Sequence, residues 1–200
     1  MATEPTPILR PIQDRIYCRK LEGDITRTSG LIIPQTAEKQ DQAVVVAVGP
    51  GRRMGDGSVR PMGVAVGDVV VFPETRGQMF VFNEQELIVL NEEHLVAKVI
   101  DDLHLLPLND VIIAEECAPQ GLIATLVPTH LQDRDEALAI AVGPGGIMPD
   151  GSVKQMELNA GDRFLYNTRM CDDFVFRDRK LIAIREAFVV CISERANEAA

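Results

Sequence analysis

Tryptophan is absent from this 200-residue chain, and aromatic residues make up only 4% of it. With 46% hydrophobic residues, its cores must be built from Val, Ile, Leu and Ala. Val and Ile are β-branched and suit a pleated surface better than a helix. Cysteine is sparse and scattered: Cys18, Cys117, Cys171 and Cys191 form no C-x-x-C pair. That spacing excludes a compact disulfide framework and predicts free thiols in a reducing compartment. His94, His104 and His130 share no ligand spacing with one another or with the cysteines, so no metal site is expected. No apolar run approaches the roughly 18–20 residues of a membrane span. The opening Met1-Ala-Thr-Glu-Pro-Thr-Pro7 lacks the basic-then-apolar order of a secretory signal. There is no block of basic residues either, and the net charge is −10, which argues against a phosphate-tracking surface. The charge is unevenly placed, −2 over residues 1–100 and −8 over residues 101–200. A soluble, cytoplasmic protein is expected, with no nucleic-acid or membrane partner; a transit peptide already removed would leave an organelle open.

What is present is a repeat. Ala43-Val-Val-Val-Ala-Val-Gly-Pro-Gly51 recurs as Ala137-Leu-Ala-Ile-Ala-Val-Gly-Pro-Gly145, an offset of 94. The same offset carries Asp56-Gly-Ser-Val59 onto Asp150-Gly-Ser-Val153, Gly67-Asp68 onto Gly161-Asp162, and Phe80-Val-Phe82 onto Phe174-Val-Phe176. Residues 43–98 and 137–192 share 21 identities in 56 ungapped positions. Nearer the start, Pro11-x-x-Asp14 matches Pro107-x-x-Asp110 at offset 96. A period near 95 residues is too long for a solenoid unit and suits a complete small domain. The reading is therefore two domains, 1–102 and 103–200, joined at the short acidic Ile100-Asp-Asp-Leu-His104.

Within each copy the apolar segments are short and separated by turn signals, with no long stretch of helical period. This predicts an all-β chain of two small barrels. Val44–Val46 is continuously apolar and predicts a strand buried on both faces. Asp56-Gly57 and Asp150-Gly151 predict type I′ hairpin turns, because Gly accepts positive φ cheaply. Between the first strand and Ala43 lies a mostly polar segment with Leu31-Ile-Ile33 set between Gly30 and Pro34. Those aliphatic residues either pack as a short strand or form an exposed partner-binding anchor. Composition alone favours the strand.

Together these segments resemble the GroES, or ten-kilodalton chaperonin, family. Arg10-Pro-Ile-Gln-Asp-Arg-Ile16 looks like its N-terminal strand, and Ser29-Gly-Leu-Ile-Ile-Pro34 like its mobile-loop core. Val45–Gly51, Val66–Phe72 and the closing Glu92–Val99 look like three further signatures. The resemblance implies two tandem GroES-like β-barrels, each with a mobile loop and a roof β-hairpin. It also implies a co-chaperonin that caps a large GroEL-type chaperonin ring in an ATP-dependent manner and assists folding. Gly30, Leu31, Ile32 and Ile33 would then dock on the ring's apical domains, which reverses the composition-based preference. Met54, Gly55, Asp56 and Gly57, with Asp150 and Gly151, would form the roof hairpins. The terminal strands would pair between neighbouring domains to build a ring, and unfolded clients would be met indirectly inside it.

The second copy matches less well. Its loop places Thr125-Leu126-Val127 opposite Leu31-Ile32-Ile33, and Thr for Leu removes apolar area and adds a hydroxyl. The corresponding anchor is expected to be weaker. Arg163 in place of Val69, and Asp172-Asp173 before Phe174, also mark divergence. Paired copies cannot fill a sevenfold ring evenly, and the sequence does not choose the number of chains. No catalytic constellation is present. An enzyme of the medium-chain dehydrogenase type would need a G-x-G-x-x-G unit that the chain lacks. The expected protein is not an enzyme and has no cofactor of its own, acting with the ATP-bound chaperonin. The competing reading is a structural β-barrel scaffold that no longer engages a chaperonin.

Overall fold

The computed structural model describes residues 9–21, 27–28, 31–32, 42–101, 104–117, 134–176 and 179–193. Among the described residues every regular element is a strand or a single 3₁₀ turn. The first copy holds β1 (Arg15–Lys20), β2 (Arg27–Thr28), β3 (Leu31–Ile32), β4 (Gln42–Val48), β5 (Arg52–Arg53), β6 (Val59–Arg60), β7 (Val69–Val71), β8 (Gln78–Phe82), β9 (Gln85–Asn91) and β10 (Ala97–Val99). The second holds β11 (Leu105–Pro107), β12 (Val111–Cys117), β13 (Arg134–Val142), β14 (Gly146–Ile147), β15 (Val153–Lys154), β16 (Arg163–Asn167), β17 (Cys171–Phe176), β18 (Arg179–Arg185) and β19 (Val189–Ser193).

The duplication is visible in the pairing. The first sheet runs β11-β10-β7-β4-β1-β9-β8 and the second β17-β18-β12-β13-β16-β19. Read from opposite ends, and leaving out β11, these are one strand order. A bulge falls between Tyr17 and Cys18 in the first copy and between Ile113 and Ala114 in the second, at matching positions. Just upstream, Gln13 and Asn109 both adopt positive φ. Each brings its carbonyl close to a glycine: a Cβ on Gly49 would lie 2.2 Å from the Gln13 oxygen, and one on Gly143 2.2 Å from the Asn109 oxygen. The Gly-Pro-Gly recurrence is thus a steric requirement of the fold.

β4 departs from the sequence expectation. Ala43 and Val45 are buried, Val44 is partly buried, and Val46 is 42% exposed. The strand alternates because an antiparallel sheet curled around one small core has a dry face and a wet one. Three apolar clusters result. One fills the first barrel around Ile16, Val45, Phe72 and Leu90. Another fills the second around Ile112, Phe164, Tyr166 and Ile182. The third lies between the copies, where Phe174, Phe176 and Leu181 of β17–β18 pack on Val71, Val96 and Ala97 of the first.

The join is a hairpin rather than a linker. The Ile100 amide donates to the His104 carbonyl at 3.0 Å, and β11 adds antiparallel to β10 with Ala97 opposite Pro107 and Val99 opposite Leu105. The second copy thereby lends a strand to the first copy's sheet and satisfies an edge that would otherwise be exposed. Immediately after β11, Leu108 enters the first barrel's core cluster and is 8% exposed.

Candidate functional site

The segment expected to dock begins at the β1–β4 stem, where the Leu21 amide donates to the Gln42 carbonyl at 3.3 Å. Within it, β2 and β3 form a separate two-stranded sheet with Arg27 opposite Ile32 and Thr28 opposite Leu31. The backbone of Leu31 and Ile32 is therefore extended and paired. Gly30, Ile33, Thr125, Leu126 and Val127 lie outside the described residues.

The stem of the second loop is built differently. Glu136 on β13 is only 1% exposed, and Arg163 on β16 places Nη1 3.5 Å from its Oε1. The same Nη1 donates to Cys117 Sγ at 3.6 Å. Beside them Tyr166 donates its hydroxyl to Glu116 Oε1 at 3.2 Å. Burial, and then the Glu116 charge, push the tyrosine's pKa upward, so it stays a neutral donor. Burial also raises the Cys117 thiol, against the opposing pull of Arg163. In the first copy the corresponding residues are Gln42, Val69, Leu21, Phe72 and Lys20. Polar groups thus tie together the second stem where the first uses mostly apolar ones. Of this cluster, only Arg163 stands out in the sequence, as a charge where its repeat partner is Val.

The roof hairpins are β5–β6 and β14–β15. Each turn is closed the same way. The Gly57 amide donates to the Met54 carbonyl at 3.0 Å and the Met54 amide to the Ser58 carbonyl at 2.9 Å; Gly151, Met148 and Ser152 repeat this at 2.9 Å each. Gly57 and Gly151 have positive φ, but Asp56 and Asp150 do not. These are three-residue loops ending in a glycine bulge, not the type I′ turns expected from the dipeptides. The aspartates have a different task. Asp56 Oδ1 accepts the Ser58 amide at 2.9 Å and its hydroxyl at 2.6 Å. Asp150 does the same with Ser152 at 2.9 and 2.6 Å. These bonds hold both carboxyls below their ordinary pKa, so the turns stay anionic. The two hairpins are neighbours: Met54, Gly55, Met148 and Pro149 help line a shared cavity of about 280 Å³.

Each hairpin is tied to its barrel by a buried or half-buried glutamate. Glu92 accepts the Gly63 amide at 2.5 Å and meets Arg60 at 3.6 Å. In the second copy Glu186 accepts the Glu157 amide at 2.6 Å and meets Lys154 at 3.7 Å. At the seam between copies, Arg185 donates from Nη1 to Asp110 Oδ1 at 2.5 Å and from Nη2 to the Glu93 carbonyl. Arg52 meets the Glu93 carboxylate at 3.3 Å. Sequence reading missed Glu186, Arg185, Asp110 and Leu108 as working residues. Glu92 and Glu186 could have been found, since they are one of the repeat identities.

The far edge of the second barrel carries no β-strand partner among the described residues. Val190 and Ile192 on β19 are exposed, as is Cys191. A cavity of about 560 Å³ lies alongside, lined among others by Ile147, Leu158, Val189, Val190 and Ile192. No group of three or more potential metal-ligating side chains occurs among the described residues. No helix among them is long and apolar enough to cross a membrane.

The model of the chaperonin 10 Kd subunit family matches residues 8–99. The co-chaperonin GroES of Paracidovorax citrulli is 44% identical over 92 residues, covering 46% of this chain and 96% of the relative. That of Bordetella petrii is 41% identical over 92 residues, covering 46% and 97%. That of Aromatoleum aromaticum is 44% identical over 92 residues, covering 46% and 96%. The matched segment is the first copy, and the second repeats its strand order, bulge and turns. The chain belongs to the GroES family of ten-kilodalton co-chaperonins and carries that β fold twice in tandem.

Proposed function

We infer that this co-chaperonin is a non-enzymatic lid that caps a GroEL-type ring when the ring holds ATP. Leu31, Ile32 and Ile33, released from polar flanks by Gly30, enter an apolar groove on the ring's apical domains. Thr125, Leu126 and Val127 make a weaker version of the same contact. Coupling loop ordering to docking lowers single-site affinity, which valency restores, and suits a lid that must leave in every cycle. The domains divide at 102/103, and the roof hairpins close the dome over clients held inside the ring. A reducing, cytoplasm-like compartment fits the free thiols.

The observation that carries this reading is the family match across residues 8–99, which contains the whole loop segment. Supporting self-association, Leu108 fills the first barrel at the seam, while its repeat partner Ile12 is 58% exposed. The second barrel offers the equivalent groove beside β19. One chain's Ile12 and Leu9–Pro11 would dock on another's β19 as Leu108 and β11 dock on β10, giving head-to-tail growth.

The test is co-sedimentation with a chaperonin ring. Binding should require adenine nucleotide and be abolished by replacing Leu31, Ile32 and Ile33 with Ser. Binding without nucleotide, or unaffected by that variant, would overturn the lid, and no binding to any of several rings would favour the scaffold reading.

A further inference from the structure

Repeat equivalence fixes what each seam would contain, and the two are unequal. Inside the chain, Arg185 of the second copy bridges its own Asp110 and the Glu93 carbonyl of the first. Arg52 and Arg60 meet Glu93 and Glu92 in the same place, around a cavity of about 190 Å³ shared with Asp14 and Asp110. Between chains the corresponding positions are different residues. Asn91 stands for Arg185, Ala187 for Glu93, and Gly146 for Arg52. Only Lys154 with Glu186 remains of the ion pairs. Much of the apolar half of the seam would be retained, with Arg15 in place of Val111 and Ser193 in place of Val99. Phe80, Phe82 and Leu87 stand where Phe174, Phe176 and Leu181 pack, facing Leu165, Val190 and Cys191 in place of Val71, Val96 and Ala97.

We propose that the assembly has two grades of seam: an internal one locked by the Arg185 bridge, and a between-chain one without that bridge, held by strand pairing and mainly apolar burial. Growth, exchange and disassembly then occur in whole chains, always between β19 of one and the Leu9–Ile12 segment of the next. This rests on the head-to-tail reading above and adds an asymmetry to it. Physically, a charged hydrogen bond anchored across a seam must break before the seam can open. A seam without that bridge opens with no such step, and its strength follows mainly the apolar area buried.

Transplanting the bridge tests this. The double variant Arg15→Val/Asn91→Arg copies the second copy's Val111/Arg185 pair onto the first copy's free side. The new side chain would reach its own Asp14 and the carbonyl of Ala187 in the neighbouring chain. Mixed light and isotope-heavy particles, followed by native mass spectrometry, report whole-chain exchange. Wild-type particles should exchange whole chains, and the double variant should exchange on the order of tenfold or more slowly, as expected for added charged hydrogen bonds. Equal exchange rates would overturn the proposal. As a second arm, Arg185→Asn should speed amide exchange at Ala97–Val99 and leave whole-chain exchange unchanged. If that strand's protection is unaltered, the internal lock is overturned even if the double variant does not fold. Absence of any particle larger than one chain would sink the head-to-tail reading itself, a separate result seen before any variant is made. Cys191 gives an independent readout: its thiol should be slow to label in particles and fast in isolated chains.

Discussion

Two glycines separate two reasons for being glycine. At Gly49 a methyl group would sit 2.2 Å from a carbonyl oxygen fixed by the bulge and by the positive φ of Gln13. At Gly57 nothing lies within 4 Å, but φ is +86. Gly49→Ala should therefore cost roughly 2–4 kcal/mol through backbone displacement, and Gly57→Ala about 1 kcal/mol through strain alone. Urea unfolding of the two variants checks the order; equal losses would mean the close approach relaxes. Cysteines divide in a similar way. Cys18 is buried in the first core, and that burial pushes its thiol up to about 12, whereas Cys191 lies on an open edge.

Among the elements, the β13–β16 pair carries the clearest exchange of chemistry between the copies. Arg163→Val restores the first copy's residue but takes the Arg163 ion pair away from the buried Glu136. Removing one partner of a buried ion pair costs roughly 3 kcal/mol, while replacing both with fitting residues is nearly neutral. Thermal unfolding should show Arg163→Val well below the Glu136→Gln/Arg163→Val double variant, which copies the Gln42/Val69 pair. If the single variant is as stable as wild type, the pair carries no weight in the stem. Much of the strand layout was legible in the sequence, because Gly-Pro-Gly, Asp-Gly and Gly-Asp punctuate it and the repeat shows each signal twice. The face of β4 was not, since Val44–Val46 reads the same whether a sheet is covered on one side or two. The hairpin type was missed because Asp56 binds Ser58 instead of adopting positive φ. Arg185 was invisible for a different reason: its partners lie 75 and 92 residues away. No local pattern encodes a bridge across a seam.

At the scale of the whole molecule, equivalent side chains have different duties on the two sides of the chain. Leu108→Ala removes part of the first barrel's core and should destabilise the isolated chain by about 2–3 kcal/mol. Ile12→Ala, at the same place in the repeat, touches no core and should leave chain stability unchanged while weakening assembly. Calorimetry of dilute chains and sedimentation of concentrated ones separate the two effects. A stability loss at Ile12 equal to that at Leu108 would mean its exposure is not retained in solution. The short hairpin at 100–104 has a kinetic meaning as well. With β10 and β11 held a few residues apart, the internal seam meets its partner at an effective concentration far above that of free chains in solution. For the head-to-tail assembly proposed above, fusion would therefore remove about half of the diffusive encounters that separate subunits would need. A closed particle of a given number of barrels would then depend on a lower power of protein concentration, and would assemble from a more dilute pool.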